Sequence, residues 1–340
     1  IYAFFKTIEG NDGPTVRMDG KELIMAGSNN YLGLSTDPRV QEAAINAIRK
    51  YGTTNSGSRL MNGTMDIHEE LEAKLARFLS KEACITLTTG FQTNQGAIVP
   101  LIGKNDYVIS DKDNHNSIVQ GTLITKGLFG PDKVLRFKHN DITHLESILQ
   151  RLPYDSGKLI VADGVFSMSG EITNLPALVE LAQTYHAKVM IDDAHGLGVI
   201  GDGGRGTESH FHLDGSVNIT TGTFSKSLAS IGGFIAANNE VINYLKHTSP
   251  ALMFSASIAP PQAAAALAAL EIIMTEPYRI EKLHSNSHKV REGLKQLGYN
   301  VLDGETPIIP VIIGNDDATL HVWKALFNQG VYTNAILQPA

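Results

Sequence analysis

The strongest constraint on this chain is an alternation. Short runs rich in Val, Ile, Leu and Ala are separated by longer segments whose apolar residues recur every three or four positions. Strand-like runs divided by helix-length segments build βα units, and βα units stack into a mostly parallel sheet covered by helices on both faces. The class is therefore α/β. Strands are expected at Cys84–Leu87, Tyr107–Ser110, Val134–Phe137, Lys158–Ala162, Lys188–Ile191, Val217–Thr221 and Gly233–Ala237. Several of these runs are almost wholly apolar, the pattern of strands buried on both faces. Helices are expected at Asp66–Leu79, Asp141–Leu152 and Leu175–Tyr185; the first places Ile67, Leu71, Leu75, Phe78 and Leu79 on one side.

From Pro260 to about Gly298 the pattern turns to long helices. A strand-like Ile308–Ile313, a helix-like Thr319–Phe327 and a strand-like Gly330–Asn334 follow. This reads as a second, smaller α+β domain. The expected division is an N-terminal segment 1–35, a large domain 36–265 and a small domain 266–340. The sequence stops at Gln338-Pro339-Ala340, so the small domain is expected to be incomplete. The 340 residues suit two closely packed domains at roughly 150 residues each.

Charge narrows the partners. With 28 Lys+Arg against 35 Asp+Glu, the net charge of -7 offers no field for a nucleic-acid backbone. The single cysteine, Cys84, lies in an apolar run and has no internal partner, which fits a reducing cytoplasm. Ala263–Met274, the longest apolar stretch, falls short of the roughly 20 residues a membrane span needs, and Glu271 interrupts it. No membrane span is expected. Ile1 opens the sequence without an initiator Met, basic n-region or cleavage site, so no signal peptide is expected.

One motif misleads. Gly201-Asp202-Gly203-Gly204-Arg205-Gly206 matches the dinucleotide fingerprint G-x-G-x-x-G letter for letter. That fingerprint requires a strand directly before it, a helix directly after it and an acidic residue about 20 positions on. Here the strand ends near Ile191, and the residue 20 past Gly206 is Lys226. A flexible surface loop is expected instead.

The informative residues follow strands, at the carboxyl edge where α/β sheets bind ligands. Asp192-Asp193-Ala194-His195 ends one strand. It reads either as a loop ion pair with a helix cap, or as a carboxylate and an imidazole turned toward a ligand. Lys226 follows another strand within Thr221-Gly222-Thr223-Phe224-Ser225-Lys226. It is either an ordinary surface lysine or a desolvated amine able to act as nucleophile and proton carrier. Thr88-Thr89-Gly90-Phe91 opens a helix after a third strand, as a plain cap or as an anion site. His115, after a fourth strand, is by default a satisfied loop histidine. There is no HExxH, no paired-cysteine pattern and no G-x-S-x-G elbow, so no metal site or serine hydrolase is expected.

Several stretches in fixed order resemble the α-oxoamine synthases among the fold-type I pyridoxal phosphate enzymes. They are Ser28-Asn29-Asn30-Tyr31-Leu32-Gly33-Leu34, Gly57-Ser58-Arg59, Asn62-Gly63-Thr64, Asp66-Ile67-His68 and Thr89-Gly90-Phe91-Gln92, then Val165-Phe166-Ser167-Met168-Ser169-Gly170, Asp192-Asp193-Ala194-His195-Gly196 and Thr223-Phe224-Ser225-Lys226. The likeness runs nearly end to end. The stretch Asn114-His115-Asn116-Ser117 keeps the histidine but departs from the family's more usual Asp-His-Ala-Ser.

The resemblance implies a large domain with a mostly parallel central sheet, a smaller C-terminal α+β domain, and pyridoxal 5'-phosphate as cofactor. It also implies roles for residues. Lys226 would carry the cofactor covalently and later take a proton as base. Asp192 would pair with its ring nitrogen, His195 would bond its O3′, and His115 would stack on the ring beside the substrate. Gly90, Phe91 and Thr223 would surround the cofactor and its phosphate, with Ser167 helping to fix the ring. Ser255 would reach the phosphate of a neighbouring subunit's cofactor, which implies a homodimer with shared active sites. Asn29 would lie near the amino-acid carboxylate.

The implied reaction joins an amino acid to an acyl-CoA with loss of CoA and CO2. Residues 222–234 are most similar to the bacterial branch that takes serine and a long-chain acyl-CoA such as palmitoyl-CoA. Other branches use glycine, alanine or a sulfonated amino acid, and heteromeric relatives contain non-catalytic subunits. An arginine that binds the substrate carboxylate in the family is expected beyond Ala340.

Overall fold

The structure is a computed structural model and describes residues 1–337. It opens with three short strands, β1 (Gly10–Asp12), β2 (Thr15–Met18) and β3 (Lys21–Met25). The main sheet follows with β4 (Ala83–Leu87), β5 (Tyr107–Asp111), β6 (Val134–Phe137), β7 (Lys158–Asp163), β8 (Lys188–Asp192), β9 (Ile219–Thr223) and β10 (Gly233–Ala237). A last strand, β11 (Val331–Tyr332), runs parallel to β3 and closes the small sheet in the order β1-β2-β3-β11.

The main sheet has the order β4-β10-β9-β8-β7-β5-β6. Only β10 runs against its neighbours, pairing antiparallel with both β4 and β9. The carboxyl ends of β4, β5, β7, β8 and β9 therefore share one edge, which the amino end of β10 also joins. Alternate residues on each strand serve opposite faces. On β7, Leu159 and Val161 pack under the helices Gly90–Leu101 and Asn116–Phe129, while Ile160 and Ala162 face Ile142–Leu149 and Leu175–Thr184. A third core joins the helices Pro38–Tyr51, Asp66–Phe78 and Pro260–Thr275 to Cys84, Phe234 and Ala236.

Strand expectations hold to within a residue at six of seven places. The exception begins at Ile219 rather than Val217, because the Val217 N–H donates to Glu208 Oε1 at 2.8 Å. The expected helix Asp141–Leu152 is shorter, Ile142–Leu149; Asp141 stays outside as the cap that accepts from the His144 N–H. Ile308–Ile313 is not a strand. Pro307 and Pro310 remove donors there, one bridge between Val301 and Val311 remains, and Arg291 takes the carbonyls of Thr306 and Ile308. The helix near residue 319 spans Asp316–Asn328, and the long C-terminal helices are Pro260–Thr275 and Tyr278–Gln296.

The glycine-rich run 201–206 is not a loose surface loop. Arg205 bonds Asp214, Asp202 and Ser80, and Gly206 abuts the Asp193 carboxylate so closely that a Cβ there would lie 1.9 Å from Oδ2. The glycines let this turn wrap a buried acid, which is a packing role.

Candidate active site

Alternation at the end of β8 separates its last residue, Asp192, from the next, Asp193. Asp192 turns into a cavity of about 330 Å3 at the carboxyl edge of the main sheet. Asp193 turns away and accepts Thr207 N–H and Oγ1, both at 2.7 Å. Burial pushes the Asp193 carboxyl up to about 7, against those two hydrogen bonds.

The same cavity is walled by Gly90, Phe91, His115, Asp163, His195, Thr223 and Lys226. Most of the residues singled out in the sequence are thus brought together. The βα topology explains this: they lie at or just past the carboxyl ends of five strands, β4, β5, β7, β8 and β9. Gly90 is required by close approach, since a Cβ there would lie 2.7 Å from Thr223 Cβ and Oγ1. Thr89 caps the helix Gly90–Leu101 by accepting the Gln92 N–H at 3.1 Å, leaving the first turn's other N–H groups at the cavity rim.

Two residues that the sequence reading passed over fix the site's geometry. Asn94, buried in that helix, donates one amide hydrogen to Asp192 Oδ2 at 2.6 Å and the other to Ser117 Oγ at 2.8 Å. Its own oxygen accepts from Thr221 Oγ1 at 2.9 Å. The Ser117 backbone N–H donates to His115 Nδ1 at 3.3 Å, and with that nitrogen an acceptor the Ser117 hydroxyl, 2.7 Å away, donates to it as well. His115 Nδ1 is therefore an acceptor, and the proton of the neutral ring is on Nε2. Burial pushes the His115 pKa down, in keeping with that neutral form. A polar Asn between Thr93 and the apolar Gly96-Ala97-Ile98 was the available signal.

His195 is held from its far side. Its Nδ1 shares a 2.7 Å hydrogen bond with the Tyr31 hydroxyl, 164 residues away in sequence. Burial, then the charges of Lys226 and His115, push the His195 pKa well below that of an ordinary histidine. Burial also pushes Tyr31 upward, so its hydroxyl keeps its proton. Lys226 is largely buried. Desolvation lowers its pKa while the charge of Asp192 opposes the drop.

A second cavity, about 480 Å3, shares Ser225, Lys226 and Ile231 with the first and is walled by Asn29, Asn30 and Gln262. Asn29 therefore stands with Lys226 in a polar annex. Ser167 lies on the loop after the wall residue Val165 and is not itself in the wall. Ser255 is also outside it, accepting a hydrogen bond from Gln92 Nε2 at 3.1 Å. A third cavity, about 450 Å3, opens on the opposite edge of the sheet. Its buried lysines are already engaged: Lys81 pairs with Glu208 at 2.7 Å, and Lys158 donates to the carbonyls of Tyr154 and Ser156. Among the described residues no cluster of three or more His, Cys, Asp or Glu is grouped as a metal site would be.

Comparison with known proteins now decides the family. The class I and II aminotransferase model matches residues 21–340. The chain belongs to this family. A serine palmitoyltransferase of Sphingobacterium spiritivorum is 48% identical over 340 residues, all of this chain and 84% of that protein. An 8-amino-7-oxononanoate synthase of Bacillus velezensis is 41% identical over 334 residues, covering 98% of this chain and 84% of that one. In structure, the Sphingomonas wittichii serine palmitoyltransferase aligns with a TM-score of 0.95 at 32% identity, covering 100% of this chain and 84% of that chain. A serine palmitoyltransferase with bound pyridoxal phosphate aligns at 0.94 with 34% identity, covering 99% and 84%.

Within the class I and II aminotransferases the chain is a pyridoxal phosphate-dependent acyltransferase of the α-oxoamine synthase class. Its pocket fits that cofactor. A glycine-lined cradle at a helix N-terminus suits a phosphate, a carboxylate with both oxygens bonded faces the cavity, and a desolvated lysine lies within it.

Proposed function

We propose that the chain condenses L-serine with a long-chain acyl-CoA, palmitoyl-CoA in the preferred case, giving 3-ketodihydrosphingosine, CoA and CO2. This would be the first step of sphingolipid synthesis. The observation that carries the reading is the identity gradient. Serine palmitoyltransferases match at 44–48% across the whole chain, and 8-amino-7-oxononanoate synthases at 40–42%.

When bound, pyridoxal phosphate supplies an electron sink for the charge left by loss of the Cα proton. The chain's own groups do the rest. Lys226 holds the cofactor and then takes the proton: desolvation brings its amine closer to neutral pH, where a base is most useful. Asp192, fixed by Asn94 and the Ala194 N–H, keeps a negative charge toward the ring nitrogen. His195, held by Tyr31, offers Nε2–H to the ring hydroxyl side. His115 offers its Nε2–H to the substrate carboxylate or the thioester carbonyl, and its ring would stack on the bound cofactor. Gly90, Phe91 and Thr223 enclose the phosphate end, Ser167 supports the ring, and Asn29 meets the amino-acid carboxylate in the annex.

Ser255 is assigned to the phosphate of a neighbouring copy's cofactor, so the working unit is a homodimer with shared sites. Among the described residues no helix is long and apolar enough to cross a membrane, and the proposed location is the cytoplasm.

A CoA-release assay over a panel of amino acids and acyl-chain lengths tests the substrate assignment. Serine with a C16 acyl-CoA is expected to give the highest kcat/KM. A higher value for alanine or glycine with a short acyl-CoA would move the chain to another branch of the class.

A further inference from the structure

Asp163 has no role in the scheme above, yet it ends β7 with its side chain buried in the cavity wall. β7 and β8 run in parallel register with Asp163 opposite Asp192. Register partners on neighbouring strands face the same way about 5 Å apart. Two buried carboxylates so placed do not both ionise without a large penalty.

Hydrogen-bond accounting tells which one keeps the charge. Asp192 has a donor on each oxygen, Asn94 Nδ2 at 2.6 Å on Oδ2 and the Ala194 N–H at 3.1 Å on Oδ1. Asp163 has a donor on one, the His115 N–H at 3.0 Å on Oδ2, while Oδ1 is buried without a partner. An ionised oxygen stripped of water and of donors is costly, whereas the protonated acid leaves only an uncharged O–H unpaired, a much smaller penalty. The surrounding charges agree. Burial, then the negative charges of Asp192 and Asp111, push the Asp163 pKa well above the carboxylate range, against the His115 N–H and the Lys226 ammonium.

We infer that Asp163 is held as a neutral carboxylic acid and is a positioning residue. It anchors the backbone of His115 through Oδ2 and leaves Asp192 as the single negative charge at that end of the pocket. Asn114 steadies the arrangement, accepting the Asp163 N–H at 2.8 Å and donating to the Val161 carbonyl at 2.8 Å. The inference rests on the pyridoxal phosphate reading of the cavity and not on the choice of serine.

The test uses the full-length holoenzyme with Asp163→Asn and Asp163→Leu, read by cofactor content, by pH titration of the cofactor's visible band, by kcat, and by thermal midpoint against pH. Asparagine mimics the neutral acid and still accepts from His115. Asp163→Asn is expected to keep full cofactor content, a band midpoint within a few tenths of a pH unit of wild type and near-normal kcat. The sign of the stability effect follows from linkage. A carboxyl whose folded pKa is raised above its unfolded value of about 3.9 contributes stability at low pH that is lost as pH rises toward the folded pKa. Wild type should therefore lose more thermal stability than Asp163→Asn between pH 5 and 8.

Asp163→Leu removes the acceptor and is expected to lower kcat on the order of tenfold and to shift the band midpoint. A shift of about one pH unit or more in Asp163→Asn, or loss of its cofactor, would show a needed anion and overturn the inference. An Asp163→Leu enzyme indistinguishable from wild type would overturn the positioning role. Should the leucine variant not fold, Asp163→Asn decides alone. A wild-type preference for another amino acid would refute the serine assignment and leave these readouts unchanged.

Discussion

Two buried charge clusters stand close to the same sheet and are built on opposite plans. In the first, Arg59 and Glu72 pair at 2.5 Å with side chains only 7% exposed, and every oxygen of Glu72 is occupied. Glu72 Oε1 accepts from Arg59 Nη1, the Thr86 N–H at 2.7 Å and Thr86 Oγ1 at 2.9 Å, and Oε2 accepts from Arg59 Nη2 at 3.2 Å. His68, buried nearby, uses both ring nitrogens, one on the Met65 N–H and one on the Ile258 carbonyl. The second cluster is the pocket edge. There Lys226 has its charge depressed by burial, His195 is kept neutral, and Asp163 leaves an oxygen bare. Both clusters belong to stretches that resemble the same family. Arg59 is a cation with its anion bonded to it, whereas Lys226 is a buried amine held by no such bond among the described residues and so available for chemistry.

The largest break in this contrast is Lys226→Ala. It should lower the rate of CoA release by at least about a thousandfold, since it removes both the covalent anchor and the base. The thermal midpoint of the cofactor-free protein should not fall, because no ion pair is lost. A rate within tenfold of wild type would remove Lys226 from the chemistry. Arg59→Leu should do the reverse. It strands Glu72 without its cation and should cost about 3–5 kcal/mol in urea unfolding, with kcat per folded molecule within about twofold of wild type. A loss below about 1 kcal/mol would show that the pair is no more than a surface bridge.

Asn94 lies between the two plans, a fully bonded residue inside the pocket wall. Asn94→Ala leaves Asp192 Oδ2 and the Ser117 oxygen without their donor and should cost about 1–3 kcal/mol, seen as a roughly five- to hundredfold loss in kcat/KM. Asn94→Asp should be worse than Asn94→Ala, because it sets a carboxylate against Asp192 where a 2.6 Å hydrogen bond now exists. An aspartate variant as active as the alanine variant would overturn the direction assigned to this relay.

The sequence made one half of the site legible and hid the other. Asp192, His195, Lys226, His115 and Gly90 each follow a strand, and a parallel sheet carries strand ends to a common edge, so local pattern was enough. Asn94, Ser117 and Asp163 lie within helices and a strand, where a polar residue has no spacing that announces it. Tyr31 reaches His195 from across the chain. The same limit applies to the fold. Strands β1 to β3 are hard to read because they are only three to five residues long and Arg17, Lys21 and Glu22 break up their apolar residues. Ile308–Ile313 was overread because its Ile and Val content outweighed the two prolines that deny it a ladder.

The smallest effect concerns the Tyr31–His195 bond and is read through acid. His195 is neutral in the folded protein and resists protonation, whereas the unfolded chain takes a proton on this histidine below about pH 6.5. Stability is therefore lost as pH falls below that value, by at most about 1.4 kcal/mol per pH unit for one proton. His195→Gln cannot titrate and should show a shallower loss between pH 6.5 and 5.5 in urea unfolding. Tyr31→Phe should lie between the two. It removes the donor that favours the unprotonated Nδ1, so the folded histidine accepts a proton more readily and the slope flattens, at a baseline cost of about 1 kcal/mol at pH 7.5. If Tyr31→Phe steepens the acid slope instead, the hydroxyl is accepting from a protonated His195, and the neutral form assigned to that histidine is wrong.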